Sequence, residues 1–128
     1  MTSLNQEGNG SAAQRIALIA AGALVVLQLV WYGWLVPPHH SNPALAAALA
    51  TIPWLLVLGA AARNRARGVL WGGTLALFYF AHGVAVAWSG AGNARGLALI
   101  EIALSLLVIL PPGVWVWREQ RRRRAAAR

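Results

Sequence analysis

The chain has 128 residues, of which 59% are hydrophobic and 11% charged, a balance outside that of soluble domains and one that leaves room for a single domain. All basic charge is arginine, lysine and aspartate are absent, and Glu7, Glu101 and Glu119 are the only acidic residues; this skew, with abundant Ala and Gly, points to a GC-rich bacterial genome. Without cysteine the chain has no disulfide, thiolate metal site or cysteine nucleophile, and its net charge of +8 sits beside the ends of apolar segments, where lipid headgroups are a simpler partner than nucleic acid.

In chain order, residues 1–14 are polar and glycine-containing, which predicts a disordered cytoplasmic arm. The apolar run 16–36 is long enough, at about 1.5 Å per residue, to span a hydrocarbon layer of about 30 Å. Pro37 and Pro38 stop it. A cleaved signal peptide is disfavoured because the run exceeds the usual h-region of about 7–15 residues. The second span, 43–62, opens with Pro43 behind Ser41 or Asn42 as N-cap and carries Pro53, a predicted kink. After the turn holding Arg63, Arg65 and Arg67 comes a third span, 69–88, then a Gly- and Ala-rich loop. The fourth, 97–117, must run through Pro111 and Pro112, because its unbroken apolar part is too short to cross. These spans form a membrane domain over 15–118, with a basic tail over 119–128.

The expected fold is therefore all-α: a polytopic membrane protein built as a four-transmembrane-helix bundle. Arg15, the Arg63–Arg67 turn and the tail containing Arg118, Arg121 and Arg122 lie at one end, and only Arg95 at the other. The positive-inside rule places both termini in the cytoplasm, with the basic residues contacting anionic headgroups. Aromatic belts agree, with Trp31, Trp34 and Trp88 at the outer boundary and Trp71, Trp115 and Trp117 at the inner one. Trp54, in mid-span beside Pro53, is expected to be buried in packing.

Glu101 is the one acidic residue inside the predicted membrane, where an ionisable group costs on the order of 2.5–3.5 kcal/mol at a central position and must be compensated. His82 lies at similar depth on the adjacent span, Ser105 shares the Glu101 face at i+4, and Tyr79 shares the His82 face at i−3. With Gln28 and Tyr32 from the first span they form a candidate intramembrane cluster. We read it first as interhelical glue and second as a site exchanging a proton with the outer face. His39 and His40 in the outer loop lack the third and fourth ligands a metal needs, and no second intramembrane histidine exists to pair with His82 on a haem. Gly68, Gly72 and Ala76 form a small-residue stripe suited to close helix approach, within the bundle or between copies. Nucleophile, P-loop and zinc motifs are absent, so no catalytic residue, metal or cofactor is expected.

The run from Trp71 to Val84, including Tyr79, Phe80, His82 and Gly83, followed by Arg95, Gly96, Glu101 and Ser105, resembles a family of small proteobacterial four-span inner-membrane proteins known as domain of unknown function 2069. Leu77 departs from a polar residue found in some members. The resemblance implies a topology and candidate residues but no activity. The function expected is that of a non-enzymatic scaffold or accessory factor, alone, as a homo-oligomer or with another membrane protein. The alternatives are an oligomeric proton-coupled transporter using Glu101 and His82, or a protein binding a lipophilic cofactor such as a quinone near Tyr79 and His82.

Overall fold

A computed structural model describes residues 2–35 and 42–127. Four α-helices follow one another: α1 (Thr2–Val30), α2 (Pro43–Arg63), α3 (Arg65–Ser89) and α4 (Asn93–Ala126). Each is long and apolar enough to cross a membrane. A π-helical turn, Trp31–Leu35, extends α1.

Local chemistry sets the helix boundaries. Asn42 caps α2 by accepting the Ala44 N–H at 3.0 Å, with Pro43 in the first turn where its missing N–H costs nothing. Asn64 serves two helices at once: its N–H donates to the Ala60 carbonyl at 2.9 Å, and its side chain accepts from the Arg67 N–H at 3.2 Å. This single residue turns the chain between α2 and α3. At the opposite end the backbone reverses through Gly92, whose φ of +60° suits a residue without a Cβ.

The helices surround a core in which α1 contacts α2 and α4, and α3 closes the ring between them. Contacts between α2 and α3 run in reversed order, Ala61 against Gly68, Val57 against Gly72 and the Ala50 carbonyl against Tyr79. Between α1 and α4, Gly10 meets Trp115 while Gln28 meets Glu101. Neighbouring helices are thus antiparallel, and Arg15, Arg63, Arg65, Arg67 and the arginines of the α4 tail gather at one end of the bundle, called here the basic end. The buried core is made of Ala20, Ala21, Leu24, Trp54, Ala76, Ala98 and Val108 among others, with Ile19, Val26, Leu49, Leu56, Leu70 and Phe78 exposed on the outside. An exposed apolar periphery around a largely alanine-lined interior suits lipid as solvent, where association is driven by close packing and hydrogen bonds.

The small-residue stripe acts inside this chain. A Cβ on Gly68 would overlap the Cβ and Cα of Ala61, and Gly72 and Ala76 are buried on the same face. Its packing within the bundle leaves dimerisation unsupported by these residues.

Two expectations need correction. Residues 2–14, read as an unstructured arm, belong to α1. Gly10 is buried, and a Cβ there would come within 2.8 Å of the Trp115 ring, so the start of α1 packs on the far part of α4. Trp31, expected at an interface, is 3% exposed and packs 5.8 Å from the His82 ring, centroid to centroid, whereas Trp34 and Trp88 are exposed at that end. Consistent with a fourth span of 97–117, α4 is 34 residues, or about 51 Å at the α-helical rise, and continues as a helix into the basic tail. Glu119 and Arg123, one turn apart and 2.9 Å from each other, support that extension. Trp54, 0% exposed, is buried as its mid-span position implied.

Candidate functional site

Gln28, His82 and Glu101 come together in the half of the bundle away from the basic end. Glu101 projects from α4 and is completely buried. Its Oε1 accepts a hydrogen bond from Gln28 Nε2 at 2.6 Å, and its Oε2 faces His82 Nδ1 at 3.0 Å. One carboxylate therefore ties α1 and α3 to α4. Two N–H donors against two acceptor oxygens supply the compensation that a carboxyl group inside a membrane requires.

Gly83 makes this approach possible. A Cβ there would lie 2.9 Å from Ile102 Cγ1, 3.2 Å from the Ala98 carbonyl oxygen and 3.4 Å from Glu101 Oε2. The residue beside His82 must therefore be small for α3 and α4 to close around the carboxylate. The histidine-glycine pair has a division of labour: one residue reaches the acid and the other admits it.

His82 also faces outward. Its side chain is 42% exposed while Glu101 behind it is 0% exposed. With Nδ1 donating to Glu101, the neutral ring has Nε2 available as acceptor, and the Tyr32 hydroxyl stands 3.4 Å from that nitrogen. Tyr32 lies in the π-helical turn, one α-helical turn after Gln28. Wider π turns re-aim side chains and recur at functional sites. The chain of polar groups thus runs Tyr32, His82, Glu101, Gln28, the first two partly accessible and the last two buried.

Tyr79 and Ser105 take other roles. Tyr79 donates to the Ala50 carbonyl of α2 at 2.5 Å, and its ring meets Trp54 edge-on at 5.3 Å. Pro53 has no N–H for the Leu49 carbonyl, and the Tyr79 hydroxyl bonds the next carbonyl along α2. Ser105 is buried one turn from Glu101, but its Oγ has no hydrogen-bond partner among the described residues, as is also true of Gln28 Oε1, Thr51 Oγ1 and Trp54 Nε1. Sequence reasoning placed Ser105 on the correct face and missed Thr51, whose apolar surroundings in α2 gave no reason to single it out. His39 and His40 lie outside the described residues.

A pocket of about 230 Å³ opens beside the cluster, lined by Gln28, Tyr32, Ala50, Phe78, Tyr79 and His82. Three helices contribute to it, with aromatic walls and a polar edge formed by His82 and Tyr32.

Fold and site together define a polytopic α-helical membrane protein with a buried, hydrogen-bonded carboxyl group near one end. Residues 16–114 match the family model described as predicted membrane protein (DUF2069), and the chain belongs to that family. No curated protein and no solved structure matches it.

Proposed function

We propose that the protein is a non-enzymatic accessory protein of the bacterial inner membrane, with both termini in the cytoplasm, whose lateral pocket receives the polar head of a membrane-borne ligand such as a quinone. The observation that carries this reading is the asymmetry of His82: anchored from behind by a fully buried Glu101, it presents its other edge, with Tyr32, to a pocket walled by Phe78 and Tyr79. At about 230 Å³ the pocket suits a single ring, below the usual range of about 300–1,000 Å³ for whole small-molecule sites, and an apolar tail would lie among the exposed side chains outside. The concentration of arginine at the basic end supports the cytoplasmic placement of the termini.

The proton-coupled transporter reading is less well supported. Glu101 is fully enclosed and both its oxygens are occupied, which gives a translocated substrate no contact with it.

Trp31 and Trp54 report on the pocket, through His82 and Tyr79 respectively. Titration of the detergent-solubilised protein with a short-chain benzoquinone is expected to quench tryptophan emission to a plateau, and His82→Phe to abolish the saturable part. Quenching that rises linearly with quinone in both proteins, together with no quinone in a solvent extract, would leave the cluster as an interhelical fastening and overturn the ligand reading.

A further inference from the structure

At the basic end, a second cavity of about 340 Å³ lies between the start of α1 and the end of the membrane-spanning part of α4. Its composition changes along its length. Ile16, Pro111 and Val114 line the part toward the membrane interior, and Arg118 and Arg122 the part toward the end of the helix, with Trp115 between them. Arg118 and Arg122 are one helical turn apart, about 6 Å along the axis, and so project from the same side of α4.

The other charges nearby are differently engaged. Arg121 stacks over the Trp117 ring at 4.3 Å, and Arg123 binds Glu119, the one carboxylate on the cavity wall, at 2.9 Å. Among the described residues Arg118 and Arg122 form no ion pair. Two exposed guanidinium groups therefore stand at the mouth of a cleft whose floor is apolar.

The cleft exists because α1 continues back to meet α4. Gly10 is buried against the Trp115 ring, and this contact turns what would have been an open helix face into a seam. A row of arginines on an isolated tail would attract anionic lipid diffusely; a seam with an apolar floor and paired arginines at its rim has the polarity profile of one phospholipid, acyl chain inward and phosphate outward.

We infer that the α1–α4 seam is a binding site for a single anionic phospholipid, its phosphate held by Arg118 and Arg122 and the upper part of one acyl chain lying against Ile16, Pro111 and Val114. The site is separate from the His82 pocket, which lies toward the opposite end of the bundle. It makes the paired α4 arginines unequal to Arg63, which stands as a single arginine beside Leu55, Leu56 and Ala60 in a groove on α2.

The test is native mass spectrometry of the full chain released from nanodiscs of phosphatidylglycerol or phosphatidylcholine. One retained phosphatidylglycerol is expected for the wild-type chain and for Arg63→Gln/Arg65→Gln, with retention reduced at least about tenfold in Arg118→Gln/Arg122→Gln. Ala12→Trp leaves the charge unchanged and fills the cleft from α1, where Ala12 is exposed on its wall, and is expected to expel the lipid as well. Helical content measured by circular dichroism identifies any variant that fails to fold. Equal losses in the two arginine pairs, retention by folded Ala12→Trp, or equal retention of phosphatidylcholine by the wild type would each show attraction to charge without a site and overturn the inference.

Discussion

Toward the basic end, α2 and α3 touch through atoms that are missing: Gly68 lies against Ala61 so closely that any side chain would overlap backbone, while Gly72 faces Val57 more loosely, its Cγ1 3.3 Å from where a Cβ would stand. Toward the other end, α1, α3 and α4 are joined by large polar side chains, Gln28 and His82 on a shared carboxyl group, with a pocket alongside. Both are answers to the same problem, since lipid gives apolar helices little hydrophobic reason to associate. Close packing uses many weak contacts and tolerates no added volume. The polar fastening uses a few directional bonds, and the candidate ligand pocket lies beside it, sharing Gln28 and His82 with it.

The difference can be broken most severely at Gly68. Gly68→Leu must force α2 and α3 apart, and is expected to cost about 3 kcal/mol or more in reversible unfolding from mixed micelles, at or above the top of the overpacking range. Gly73→Ala provides the control: nothing lies within 4 Å of a Cβ built there, and the variant is expected to be neutral or slightly stabilising in the same assay. A comparable loss in both variants would show that the cost does not come from the close approach of α2 to Gly68.

Glu101→Ala comes next. It removes the acceptor of both Gln28 Nε2 and His82 Nδ1, and a loss of about 1–2 kcal/mol is expected from two interhelical hydrogen bonds of about 0.6 kcal/mol each plus the cost of stranding the donors. Glu101→Gln retains one acceptor oxygen and should lose less. Combining Gly68→Leu with Glu101→Gln sharpens the comparison, because the two sites share no partner and their effects should add within about 0.5 kcal/mol. A larger coupling would mean that the ends of the bundle open as one unit.

The smallest effects belong to the tyrosines. Tyr79→Phe loses the bond to the Ala50 carbonyl, about 0.6 kcal/mol in the same unfolding assay. Tyr32→Phe should fall below that, since its hydroxyl stands 3.4 Å from His82 Nε2, while in the quinone titration it should weaken binding through the polar edge of the pocket. Wild-type quinone affinity in Tyr32→Phe would remove Tyr32 from that edge.

Much of this architecture was legible in the residues. Hydropathy and length separated four spans, arginine placement identified their common end, and counting residues from the span boundaries put His82 and Glu101 at one level. The small-residue stripe was visible too, though the sequence allowed it to face either this bundle or a second copy. A face shared with His82 points Tyr79 toward Glu101, yet its hydroxyl crosses to Ala50 on α2; nearness to a span end points Trp31 to an aromatic belt, yet it fills the interior beside His82. The polar start of α1 gave no sign that Gly10 would receive the Trp115 ring.

By itself, then, the sequence determined depth: which residues lie in the membrane, at what level, and toward which end the positive charge is gathered. Depth is readable because each helical residue advances the chain by a fixed rise along an axis held across the bilayer. Direction around each axis was decided only by the tertiary structure, in which Gly83 let α3 close on α4, the π turn carried Tyr32 toward His82, and Gly10 let α1 continue against Trp115. Partners within a bundle depend on that direction, because helices of similar apolar composition can rotate at little cost until close contacts and buried hydrogen bonds fix them.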